Sequence, residues 1–102
     1  MKLITMVNAA SALRKLSEKD ISIKKAYELY RLTQKLNEYL GYFDANREKI
    51  ISLSDNQDEK LKELLDTEFD VSFDKVKLKL DENIEISVYD IMNLEGFVEF
   101  EE

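Results

Sequence analysis

The segment FDVSFDKVKLK, Phe69 to Lys79, holds the side chains closest in type and spacing to a reactive site. Asp70, Asp74 and Lys77 superficially match metal-dependent nucleases, which use carboxylates and a lysine on neighbouring strands to hold a divalent ion and a water molecule. The Glu-x-Lys pairing usual in such sites is missing here. Alternating Asp and Lys is also the look of a solvated strand face, and that reading is favoured. Histidine and cysteine are absent. Their absence removes the commonest general base, thiolate nucleophiles, disulfides and the usual zinc sites. Carboxylates with a metal, a lysine of shifted acidity or a serine activated by lysine would remain, and no motif supports any of them. With Gly41 and Gly96 as the only glycines, no glycine-rich phosphate loop can form. The expectation is a chain that is not an enzyme and takes no cofactor or metal.

Charge gives a second set of candidates. The net charge of −7 is unevenly spread: residues 1 to 54 hold ten Lys or Arg against six Asp or Glu, and residues 55 to 102 hold five against sixteen. The favoured explanation is attraction between the halves inside one folded monomer. Head-to-tail association of copies, or an acidic face offered to a basic partner, are the sharper alternatives. A cluster of Arg14, Lys15, Lys19, Lys24, Lys25, Arg31 and Lys35 lies near Tyr27 and Tyr30 and could contact nucleic acid through phosphates and stacking. Glu18, Asp20 and Glu28 dilute it, so a solvated helix face is preferred and nucleic acid is a disfavoured partner.

The elements that would position these residues follow from periodicity. A length of 102 residues suits one domain, residues 1–102, with a modest core. Asn8 can cap a first helix carrying Ala9, Ala12, Leu13 and Leu16 on one face, and residues 2 to 4 are a short strand or a lead-in. Asp20 or Ser22 can cap a long second helix that runs to about Leu53. Ser54 and Gln57 have capping-box spacing for a third helix presenting Leu61, Leu64 and Leu65. So short a connection predicts an antiparallel hairpin of the second and third helices. From Phe69 the period becomes two, predicting a strand through Phe73, and a β-hairpin over about 76 to 88 turning at residues 81 to 83. Ser87 and Asp90 have capping spacing for a short helix with Ile91, Met92 and Leu94, which Gly96 would end. The tail is an edge strand or a frayed acidic end. The predicted fold class is α+β: a long helical hairpin and a short N-terminal helix, packed on a small antiparallel β element with a short C-terminal helix.

The long helix carries the main interaction signal. Leu29, Leu32, Leu36, Tyr39, Phe43, Asn46, Ile50 and Leu53 alternate steps of three and four, which keeps them on one side of a helix. Ala26, Tyr30 and Leu40 widen the stripe at its start, as burial in the chain's own core requires. Phe43, Asn46, Ile50 and Leu53 form a thinner seam, the candidate surface for a second copy or another partner. An asparagine in such a seam can set register or partner number. Gly41 costs about 1 kcal/mol in a helix interior, so it predicts a close neighbour or a bend. Asp70, Asp74, Glu99 and Glu101 are the candidate acidic contacts.

Three pieces, IKKAYELYRLTQKL, ELLDTEFDVSFDKVKL and ISVYDIMNLEGFVEFEE, span nearly the whole chain in this order. The order resembles small proteins encoded by bacteriophages and prophages that carry no functional assignment. Members often have a proline before the long helix, where this chain has Ile21 and Ser22, and a longer insert before the third helix. The resemblance implies a phage setting and supplies no site residues. No apolar run approaches the roughly 18 to 20 residues a membrane helix needs, and the N-terminal apolar region is too short for a secretory signal. Residence in the host-cell cytoplasm or a virion is therefore expected, without membrane contact. The leading expectation is a non-enzymatic protein-interaction module whose partner is itself, a phage protein or a host protein. As a homo-oligomer it would suit a virion or assembly role. The alternative is an acidic inhibitor of a host protein such as a defence nuclease.

Overall fold

The computed structural model of the chain describes residues 1–19, 21–53, 55–79 and 85–101. Its elements are α1 (Leu3–Ser17), α2 (Ile23–Leu53), α3 (Gln57–Leu65), β1 (Val76–Lys79), α4 (Val88–Leu94) and β2 (Val98–Glu101). The architecture is α+β. Helix α1 lies at the centre, packed on α2, α3 and α4. Its buried face, Leu3, Met6, Ala9, Ala12, Leu13 and Leu16, repeats in steps of three and four.

That helix starts five residues before the expected cap at Asn8, which sits half-buried in its interior. No side chain caps it; Leu3 N–H donates to Thr67 O at 2.9 Å instead, and Lys2 forms an isolated antiparallel bridge with Glu68. The first helical amide is thus satisfied by a segment distant in sequence, a contact that local pattern cannot carry. Helix α2 begins as expected, with Ser22 Oγ accepting from Lys25 N–H at 3.4 Å, and it continues unbroken through Gly41. A Cβ built on Gly41 would meet nothing within 4 Å, so the expected close neighbour is absent among the described residues. The other candidate cap, Asp20, and Ser54 lie outside the described residues.

Helix α3 returns along α2. Its C-terminal exit brings Phe69 edge-on to Tyr39 and Tyr42, with ring centroids 5.2 and 5.6 Å apart. Gln57 is the first residue of α3 rather than a capping-box partner, and its side-chain amide donates back to Ile51 O at 3.0 Å. The segment from Phe69 to Phe73 is extended in burial pattern only. Phe69, Val71 and Phe73 are half-buried between exposed Asp70 and Ser72, yet Val71 N–H donates to Phe69 O at 2.9 Å, an i to i+2 bond that makes a γ-turn and not a strand.

The sheet is parallel, which corrects the antiparallel expectation. β1 pairs with β2 in the register Val76↔Val98, Lys77↔Glu99, Leu78↔Phe100 and Lys79↔Glu101. Parallel neighbours need a crossover, and the connection from Lys79 to Val98 contains α4. The expected hairpin over 76 to 88 fails because Ile86 is outside any strand and Val88 opens α4; its turn at 81 to 83 and Ile84 lie outside the described residues. Ser87 caps α4 as expected, its Oγ accepting from Asp90 N–H at 3.1 Å. Gly96 lies in the turn after α4 without a positive φ, so it does not end the helix in the left-handed conformation. Phe97, Leu94, Leu36, Leu16, Met6 and Leu3 are the largest fully buried side chains. Around them the molecule extends 48 × 22 × 21 Å.

Candidate interaction surface

Helix α2 divides into two halves of different environment. Leu29, Leu32 and Leu36 are its buried residues, and Tyr39 and Leu40 pack against the core from its edge. Beyond Leu40 none of its described residues is buried. At 1.5 Å of rise per residue, the stretch from Leu40 to Leu53 makes an arm about 20 Å long. Phe43, Asn46 and Ile50 are half-buried along it, while Leu53, at the end that turns into α3, is 82% exposed. Tyr42 and Ile51 add further exposed apolar surface. Asn46 spends its amide on its own helix, with Nδ2 donating to Tyr42 O at 2.8 Å. It is neither buried nor paired across a seam within this chain.

The four candidate acids do not make a continuous negative face. Glu99 and Glu101 stand opposite Lys77 and Lys79 in the sheet register, and Lys77 Nζ lies 3.9 Å from Glu101 Oε1. The outward side of the sheet sets a row of lysines on β1 beside a row of glutamates on β2. Asp74 lines a cleft rich in cations, and Asp70 is exposed in the irregular segment before β1. Among the described residues no three carboxylates converge as a metal site would require. The two halves of the chain are tied by ion pairs instead. Met1 ammonium meets Glu68 at 2.7 Å, Lys2 lies 3.9 Å from Asp66, and Lys15 lies 3.1 Å from Asp90.

The Lys15–Asp90 pair is the most enclosed of these. Asp90 is the one buried charged residue among those described, and both its oxygens accept from Lys15 Nζ at 3.1 Å. Burial alone pushes its carboxyl up, but the Lys15 bond and charge, together with hydrogen bonds involving Ser87, outweigh that and hold it below the ordinary value of 3.8. The pair therefore pins the start of α4 to the end of α1.

Two surfaces escaped the sequence reading. On α4, where Ile91, Met92 and Leu94 were the expected face, only Leu94 is buried; Val88 is 75%, Tyr89 64% and Met92 67% exposed. The i, i+4 spacing of Val88 and Met92 was the available signal. The other surface is a cleft of about 470 Å³ between α2 and the start of β1, lined by Lys25, Arg31, Lys35, Lys75 and Lys77 together with Glu28 and Asp74. Its two sides are some forty residues apart in sequence, so no local pattern announces it. Arg14, Lys15 and Lys19 of the expected basic cluster lie elsewhere, on and just after α1. No described helix is long and apolar enough to cross a membrane. Comparison of the chain with protein families, with curated proteins and with solved structures finds no match.

Proposed function

We propose that the chain is a non-enzymatic protein-interaction module of phage or prophage origin that associates with copies of itself through the turn end of the α2–α3 hairpin. The observation that carries this reading is the arm beyond Leu40, where an apolar stripe leaves the core and ends in exposed Ile51 and Leu53. A contact between two such arms is self-complementary and closes as a two-fold dimer. Phe43 and Ile50 contribute its half-buried border. The pairing of Glu99 and Glu101 with Lys77 and Lys79 across the sheet argues against the reading as an acidic inhibitor. Light scattering over a range of protein concentrations tests the proposal. The expected outcome is a monomer–dimer equilibrium that Leu53→Asp with Ile51→Asp shifts to monomer without loss of helical circular dichroism. A chain that stays monomeric at high concentration, and captures no phage protein from infected host cells, overturns it.

A further inference from the structure

Five basic residues of an acidic chain line one cleft, with the acidic Glu28 and Asp74 among them. Lys25, Arg31 and Lys35 descend one side of α2, and Lys75 and Lys77 face them from the start of β1. The span from residue 25 to residue 35 gives the α2 side a length of about 15 Å. Between the two rows the floor is apolar, with Leu32 and Val76 buried and Phe73 half-buried. Lys25 is engaged with Glu28 at 3.3 Å and Lys77 lies 3.9 Å from Glu101. Arg31, Lys35 and Lys75 have no ion-pair partner among the described residues. With five basic residues against Glu28 and Asp74, the cleft keeps three positive charges in excess, a surplus that a bound small anion would offset.

We propose that this cleft binds a nucleoside phosphate, its phosphates held by Arg31, Lys35 and Lys75 and its planar base laid on Leu32, Phe73 and Val76. Guanidinium and ammonium groups are the usual partners of phosphate oxygens, and the cleft volume falls in the range of small-ligand sites. The net charge of −7 opposes a long polyanion but is a minor obstacle to a small one. The site is separate from the α2–α3 arm and does not depend on self-association.

The test is fluorescence polarisation of the full chain with ADP bearing a fluorophore on its ribose, competed by unlabelled ADP, inorganic pyrophosphate or a thymidine hexanucleotide. Saturable binding is expected, weakened by added salt, with pyrophosphate competing about tenfold less well than ADP because it lacks the base. Arg31→Ala combined with Lys75→Ala should weaken binding about tenfold or more, while Lys60→Ala with Lys62→Ala on α3 leaves it unchanged. Both double variants alter exposed side chains, and circular dichroism verifies their folding. Stronger competition by the hexanucleotide assigns the same chemistry to a single strand rather than a free nucleotide. Absence of saturable binding, equal competition by pyrophosphate and ADP, or unchanged affinity in Arg31→Ala with Lys75→Ala overturns the proposal. Each result is read independently of whether the chain dimerises.

Discussion

Replacing Gly41 by alanine should stabilise the protein, which is not the usual result of altering one of only two glycines in a chain. Gly41 is an exposed interior residue of α2, with no positive φ, and its added Cβ would meet nothing within 4 Å. No steric term then offsets the difference in helix propensity, which favours alanine by about 0.8–1.0 kcal/mol. For a domain of this size that gain raises the midpoint of thermal unfolding by roughly 4–8 °C. It also moves the urea midpoint up by about 0.3–1 M, given a denaturant slope of roughly 1–3 kcal/mol/M. Both transitions are followed by circular dichroism in dilute protein, below the concentrations at which the proposed association would occur. An unchanged or lowered midpoint in dilute protein would refute the reasoning, because it requires a neighbour close to Gly41 or a helix that bends there. A gain that disappears only at associating concentrations places Gly41 inside the contact between copies.

Other substitutions probe the core, the cap and the Lys15–Asp90 ion pair. Leu36→Ala empties a fully buried position and should cost about 2–5 kcal/mol in chemical denaturation; a cost below about 0.5 kcal/mol, as expected at a surface site, would contradict its placement. Ser87→Ala removes the Oγ that accepts from Asp90 N–H and should cost about 1 kcal/mol, measured the same way. The Asp90 carboxyl is held below 3.8 when folded, so its contribution is complete above that pH and is lost as pH falls through the lower, folded value. Asp90→Asn should therefore lower stability at neutral pH and flatten the acid limb of the stability curve; an acid limb as steep as that of the parent chain would contradict the assignment.

Legibility in the sequence tracked how local each cause was. Ser22 as the start of α2, Leu53 as its end and Ser87 as the cap of α4 depend on neighbours within a few residues, and their side chains announce them. The start of α1 depends on Thr67 and Glu68, so Asn8, a good cap by type, was misleading. Alternation from Phe69 to Phe73 does report alternate burial, but burial of period two does not require a ladder, and the γ-turn at Val71 breaks one. Strand direction was hidden because β1 chooses a partner across α4 rather than across a turn. The exposed arm end was readable from the thinning stripe after Leu40. The cationic cleft was not, because Lys75 and Lys77 were counted with an acidic half.

The bonds that complete α1 also order events during synthesis. Leu3 waits for the carbonyl of Thr67, Lys2 for Glu68 and Lys15 for Asp90, so the first helix made is among the last to be finished. Closing a loop of that length carries an entropic cost that rises with the logarithm of its length. Until the residues beyond Glu68 leave the ribosome, the stripe Leu3, Met6, Ala9, Leu13 and Leu16 has only α2 and α3 to lie on, without α4. Folding should thus be held back until nearly the whole chain has emerged, and a nascent chain arrested after α3 should remain open to protease near its N-terminus.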